Sequence, residues 1–190
     1  MNKPNSQFIV SIETECLTAV PGDPEATGQA IADFLERFAQ QAPSLNGTAG
    51  VFNGYAKVYC DCGHIEIAIV ECDSPYTTAL IFERLQILVA RAVAELAAGG
   101  IELVLANNNH SGLLRDDANV WGTHENYLTD RHPSTFSEQI LPFLVTRIYG
   151  GSGGVHHPSG DFLASVRSNC MTTASGGGTT ERRAIHSLAR

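Results

Sequence analysis

A chain of 190 residues, 43% of them hydrophobic and with charges of both signs, can bury the core of one domain. A net charge of −8 without a basic run excludes nucleic acid as the principal partner. No apolar stretch approaches a membrane span and Met1–Gln7 lacks an apolar signal core, so a cytoplasmic protein is expected.

In chain order, Phe8–Glu15 reads as a strand with Val10 and Ile12 on one side and Ser11, Glu13 and Glu15 on the other. Val20–Glu25 reads as a turn, with Asp23 as helix N-cap and Pro24 at the first helical position. Ile31, Phe34, Leu35 and Phe38 mark one helical face, and Pro43 closes that segment. After a hairpin, Ser74-Pro75 opens a second helix with the stripe Ile81, Leu85, Leu88, Val89, Ala92 and Leu96, closed by Gly99-Gly100. Ile101–Ala106 reads as a strand that leads into Asn107-Asn108-Asn109 and a polar loop over 107–121.

A third helix is expected over Ser137–Tyr149, with Pro142 kinking it or marking its true start. Beyond Gly150 the chain is Gly- and Ser-rich apart from a short strand over Phe162–Val166, and 172–180 reads as low-complexity and mobile. Residues 1–171 are therefore read as the folded domain and 172–190 as a tail. Strands and helices mix without a βαβ rhythm, which makes the fold class α+β with an antiparallel sheet.

The hairpin, residues 53–72, holds the chemistry. Lys57, Tyr59 and Asp61 alternate and share one face, Asp61-Cys62-Gly63 reads as a turn, and His64, Glu66 and Ala68 return opposite Ile65, Ile67 and Ile69. Five polar groups thus aim into one space. Glu13 and Glu15 alone would suit a solvent-facing edge strand, but two carboxylates side by side repel unless something positive sits between them. With Asp61 and Glu66 they suggest a divalent cation on hard oxygen ligands, and magnesium suits that set.

Two other motifs are weaker. Alternation would align Cys60, Cys62 and His64 for zinc, but no second Cys/His pair of finger-like spacing follows. Small cysteines buried on the hairpin's inner side are expected instead. All five cysteines, with Cys16, Cys72 and Cys170, are read as reduced thiols. Gly150–Gly154 has the G-x-S-x-G form of a nucleophile elbow, with Asp161 and His156, His157 or His186 as partners. That elbow needs a strand before it and a helix after it, so a flexible loop is the plainer reading.

Several segments, in order, resemble the Pup ligase and Pup deamidase family, a glutamine synthetase-related branch of carboxylate–amine ligases. They are Ile12–Glu15, the Tyr-x-Asp…Gly-His-x-Glu…Glu-Cys run at 59–72, Asn107–Asn109, Gly122–Leu128 and Pro142–Arg147. The resemblance implies a glutamine synthetase-like antiparallel sheet with helices on one face. It implies ATP and Mg2+ as cofactors, with Glu13, Tyr59 and Glu66 as magnesium ligands and Asp61 as the catalytic base. His124, in the matching His-Glu-Asn-Tyr segment, is a candidate further ligand. Lys57 falls where the family has an ATP-contacting arginine, which keeps the charge and loses the bidentate fork. Ile69 stands in place of an ATP-contacting threonine. In a chain of net charge −8 an anionic nucleotide has to be met locally, by magnesium and cations such as Lys57 and Arg147.

The implied activity is joining the C-terminal glutamate of a Pup-like modifier to lysines of protein substrates through a glutamyl phosphate. A deamidase or depupylase is the alternative, and the family's deamidase branch carries a long insertion before the Asn-Gly strand. Here 37 residues separate Glu15 from Asn53, most of them taken by one helix, which favours the ligase. The family's next motif, Asn-Thr-Arg-Asp-Glu-Pro-His, is not reached by residue 190, so the sheet is expected to be incomplete. Three readings follow from that: a fragment, a chain whose site a second chain completes, or a non-catalytic homologue that binds nucleotide or a partner chain.

Overall fold

A computed structural model describes residues 9–41, 45–47, 50–107, 121–128, 133–146, 153–155, 159–165, 171–176 and 184–187. They belong to two units, one of Met1–Asn107 with Thr123–Leu128, the other of Asn108–Gly122 with Thr129–Arg190. Among the described residues no helix is long and apolar enough to cross a membrane.

The first unit runs β1 (Val10–Ala19), α1 (Thr27–Gln40), β2 (Leu45–Gly47), β3 (Gly50–Phe52), β4 (Ala56–Asp61), β5 (His64–Ile69), α2 (Pro75–Ala98), β6 (Val104–Ala106) and β7 (Thr123–Tyr127). The strands form one sheet in the order β2-β3-β4-β5-β1-β6, with β7 also paired to β1. Every pairing in it is antiparallel. β1 exceeds its expected length because it serves two neighbours on one edge: Val10–Thr14 takes β7 and Leu17–Ala19 takes β6. The α+β class with an antiparallel sheet is the one observed.

The core explains this arrangement. Val58, Ile65, Ile67 and Ile69 from the hairpin join Phe34 and Phe38 of α1 and Leu85, Val89 and Leu96 of α2 in one buried cluster. Helix spacing and strand alternation therefore present apolar faces to each other, and the polar faces of β1, β4 and β5 are left for other work.

Some local expectations hold. Ser74 accepts a hydrogen bond from the Thr77 N–H at 3.4 Å with Pro75 at the first helical position, and α2 gives way at Gly100, whose φ is +86°. Others shift. The α1 helix starts at Thr27 because the Asp23 carboxylate accepts from the Ala26 N–H at 3.1 Å, which caps the preceding turn rather than the helix. The hairpin closes with two residues in the left-handed region, Cys62 at φ +45° and Gly63 at +88°, as a type I′ turn requires.

The cysteine expectation fails at this turn. Cys60 and Cys62 are exposed, whereas Cys16 and Cys72 are buried. The hairpin tip from Cys60 to Gly63 is exposed throughout, so it stands clear of the core. Nor do the three zinc candidates align. Cys60 pairs with Ile65 and His64 with Asp61, which puts Cys60 and His64 on opposite faces.

The second unit contains α3 (Pro133–Leu144), β8 (Gly154–Val155), β9 (Phe162–Leu163), β10 (Thr173–Gly176) and β11 (Ala184–Ser187). α3 begins at Pro133, earlier than the expected Ser137, with proline where its missing N–H costs nothing; Pro142 lies inside the helix. β8 pairs antiparallel with β9, and β10 pairs parallel with β11 within the segment expected to lack structure. Residues 108–120, Gly150–Ser152 and Val166 lie outside the described residues.

Gly50 ties the hairpin to its neighbour. It has φ +117°, and a Cβ there would come within 2.6 Å of Tyr59 Cβ and of the Val58 carbonyl. Gly54, at φ +84°, has nothing within 4 Å of the same position. Gly50→Ala is predicted to cost about 2–4 kcal/mol in urea unfolding and Gly54→Ala only about 1–2 kcal/mol. Equal losses would contradict the close approach.

Candidate metal centre

Cross-strand register assembles the site. Asp61 pairs with His64, Tyr59 with Glu66 and Lys57 with Ala68 across β4 and β5. On the other side of β5, Glu66 pairs with Glu15 and Ala68 with Glu13. Glu13 in turn pairs with His124 of β7. Directly paired residues share a face, so three rows cross the sheet: Asp61–His64, Tyr59–Glu66–Glu15, and Lys57–Ala68–Glu13–His124. Ala68 contributes only a methyl, which leaves the diagonal from Tyr59 to Glu13 open.

The polar groups meet as that layout dictates. The Tyr59 hydroxyl lies 2.5 Å from Glu13 Oε1 and also contacts Glu66 Oε2. His64 Nε2 is 3.3 Å from Glu66 Oε1, and both residues are buried. His124 Nδ1 is 3.5 Å from Glu13 Oε2, and its Nε2 is 3.7 Å from Glu15 Oε1. The last distance is too long for a hydrogen bond, and the buried Nε2 makes none. Lys57 Nζ stacks 4.2 Å from the centre of the Tyr59 ring, a cation–π contact.

Proton counting shows what this arrangement needs. A hydroxyl carries one hydrogen, so Tyr59 can donate to Glu13 or to Glu66 but not to both at once. Burial, and then the two carboxylates, push its phenol well above the ordinary value, so that hydrogen stays on. Glu13 is held at about 2, below its usual 4.5, first by its hydrogen bond with His124 and then by those with Tyr59 and Glu66, against the opposing effect of burial. Tyr59 therefore has one hydrogen for the two carboxylates it contacts.

A divalent cation fits here. Among the described residues Glu15, His64 and Glu66 each offer one ligand atom, all within 4.8 Å of one another. Opposite ligands of an ion with ~2.1 Å bonds stand ~4.2 Å apart, so a small contraction would suffice. The two carboxylates suit magnesium or manganese, whereas the imidazole is a ligand more usual for zinc, iron or nickel. Glu13 and His124 flank this trio, with the unpartnered His124 Nε2 beside Glu15.

The sequence-derived candidates are thus distributed unevenly. Glu13, Tyr59, Glu66 and His124 converge, and Asp61 and Lys57 lie on the same face. Asp61 is exposed at the hairpin tip, where the Cys62 thiol donates to its Oδ1 at 3.6 Å. Ile69 is not on this face: its side chain is 4% exposed and packs in the core, on the helix-covered side. Arg147 lies outside the described residues. Glu15 and His64 were absent from the ligand set that the resemblance implied, although their alternation with Glu13 and Glu66 had already put each on the polar face.

Comparison with known proteins agrees with the fold. The family model "Pup-ligase protein" matches residues 10–187. The chain belongs to that family. A Pup–protein ligase of Corynebacterium urealyticum is 36% identical over 150 residues, covering 68% of this chain and 29% of that protein. One from Nocardia farcinica is 31% identical over 194 residues, covering 93% of this chain and 41% of that protein. A crystal structure of the complex between prokaryotic ubiquitin-like protein Pup and its ligase PafA superposes with a TM-score of 0.61 at 25% identity, over 87% of this chain and 35% of that one. The chain therefore spans well under half the length of these relatives.

Glu13 makes the site sensitive to acid. A carboxyl held near 2 in the folded chain and near 4.5 when unfolded contributes stability that is full above 4.5 and is lost as pH falls toward 2. In metal-free protein, Glu13→Gln is predicted to flatten the stability–pH curve across that window. An unchanged acid limb would contradict the contacts with His124, Tyr59 and Glu66.

Proposed function

We propose that the chain provides the magnesium- and ATP-binding part of a cytoplasmic Pup ligase, which joins the C-terminal glutamate of a Pup-like modifier to lysines of protein substrates. The observation that carries this reading is the convergence of Glu13, Glu15, Tyr59, His64 and Glu66 on one face of the sheet in a member of this family. The modifier's glutamate carboxylate would take the γ-phosphoryl of ATP, releasing ADP, and a lysine amine would then displace phosphate to form the isopeptide bond. Bound Mg2+ would supply charge neutralisation of the phosphates.

Each residue has a role in that scheme. Glu13, Glu15, Glu66 and His64 hold the ion, and the Tyr59 hydroxyl links Glu13 to Glu66 and keeps them within reach of it. His124 orients Glu13. Asp61, exposed beside His64, takes the proton from the incoming amine. Lys57, above the Tyr59 ring, and Arg147 offer positive charge to phosphate oxygens. Ile69 belongs to the core, so a nucleotide contact there would have to involve its backbone.

A second reading has its own support. Lys57 lacks the fork of the family's arginine, so a chain that binds magnesium nucleotide without turnover is the alternative. The ligase branch is favoured over the deamidase because the stretch between Glu15 and Asn53 is taken up by the end of β1, α1, β2 and β3.

Calorimetric titration of the chain with ATP and Mg2+ tests the shared part of both readings. Saturable binding is predicted, abolished by Glu13→Ala and retained by Asp61→Asn. Supplying the modifier and a lysine substrate then separates them: conjugate formed by the parent chain and reduced by orders of magnitude in Asp61→Asn supports the ligase. Binding without conjugate supports the non-catalytic reading, and no binding by the parent chain contradicts both.

A further inference from the structure

Helix α2 is apolar on two sides. Thr78, Leu85, Val89, Ala92 and Leu96 face the core. On the opposite side, within about 40° of Ile87 at 3.6 residues per turn, lies an exposed stripe. Its N-terminal half carries bulk: Tyr76 is 77% exposed, Leu80 40% and Ile87 39%. Apart from Arg91, its C-terminal half carries only the methyl groups of Ala94 and Ala98, both exposed. One acidic and one basic residue complete it, the exposed Glu83 and Arg91. A surface helix ordinarily turns charge outward, and one apolar on both sides is covered on both.

The order of residues along the stripe names the occupant. Glu83 and Arg91 are equidistant from Ile87, as are Leu80 and Ala94, and again Tyr76 and Ala98. When a second copy is laid antiparallel across the first with its two-fold axis at Ile87, each residue therefore meets a complement. Ile87 meets Ile87, Leu80 meets Ala94, Tyr76 meets Ala98, and Glu83 meets Arg91 twice. Large packs on small, opposite charges pair, and the helix dipoles oppose.

We propose that the outer face of α2 is an isologous interface through which two copies of this chain associate, with helices antiparallel about Ile87. The interface is separate from the carboxylate site and does not depend on the function proposed for it. On its other flank α2 is already engaged within the chain, where the Gln41 side chain donates to Glu95 Oε1 at 2.7 Å. That leaves the stripe centred on Ile87 as the face available to a partner.

Sedimentation velocity of the full chain over a range of concentrations tests this. A reversible dimer is expected, and Ile87→Glu should raise its dissociation constant more than ~tenfold while leaving the far-ultraviolet circular dichroism, and the melting curve at concentrations where both proteins are monomeric, intact, since the side chain is exposed. Glu83→Arg and Arg91→Glu should each weaken the dimer by placing like charges opposite one another, and the double variant should restore it. A chain that stays monomeric through the high micromolar range would overturn the proposal, leaving the stripe to another occupant. So would a dimer indifferent to Ile87→Glu, or a charge-swapped double variant no tighter than the single ones.

Discussion

Glu15 and Glu66 stand directly opposite each other on neighbouring strands near the middle of the sheet. Like charges in that relation push strands apart, and Glu66 is buried, so water cannot relieve the repulsion by screening. Three polar neighbours bear on this pair. His64 approaches Glu66, His124 approaches Glu15, and the Tyr59 hydroxyl bridges from Glu66 to Glu13. With one hydrogen shared between Glu13 and Glu66, the cation proposed above would complete the arrangement.

The core holds these groups in place against their own repulsion. Strand register has period two, so a slip of one residue would turn Glu66 toward α1 and α2 and expose Ile65 and Ile67. Ile65, Ile67, Phe34 and Phe38 are almost wholly shielded, and displacing them would cost several kcal/mol each. The tight turn at Cys62-Gly63 fixes the same register from the hairpin tip, and the approach of Gly50 to Tyr59 fixes it from β3. The strain of the carboxylates is thus offset on the far side of the sheet.

Much of this was legible in the residues, because the face on which a strand residue lies is a local property. Alternation alone grouped Lys57, Tyr59 and Asp61 with His64, Glu66 and Ala68, and turn chemistry located the reversal between them. The pairing of Glu15 with Glu66 was not legible, since it depends on how β1 docks on a strand about 50 residues later. For that reason alternation could group Glu15 with Glu13, Asp61 and Glu66 for a cation, yet the set implied by the resemblance passed over Glu15 and His64. The cysteines were misread because hydrophobicity predicts burial only where a core reaches, and the core stops short of the hairpin tip. The start of α1 was misread because an aspartate before Pro24 suits a turn cap as well as a helix N-cap, and Asp23 caps the turn. Ile69 had already lost the threonine hydroxyl that gave the resemblance its meaning at that position, and its alternation with Glu66 directs it into the core.

The register of β1, β4 and β5 would build a divalent-cation site from Glu15, His64 and Glu66. Anomalous diffraction from crystals grown with Mn2+ tests it most directly. The account predicts an anomalous peak roughly 2.1 Å from an oxygen of Glu15, an oxygen of Glu66 and a ring nitrogen of His64. Crystals with Mn2+ bound elsewhere, or with no peak among these three side chains at saturating metal, would contradict it.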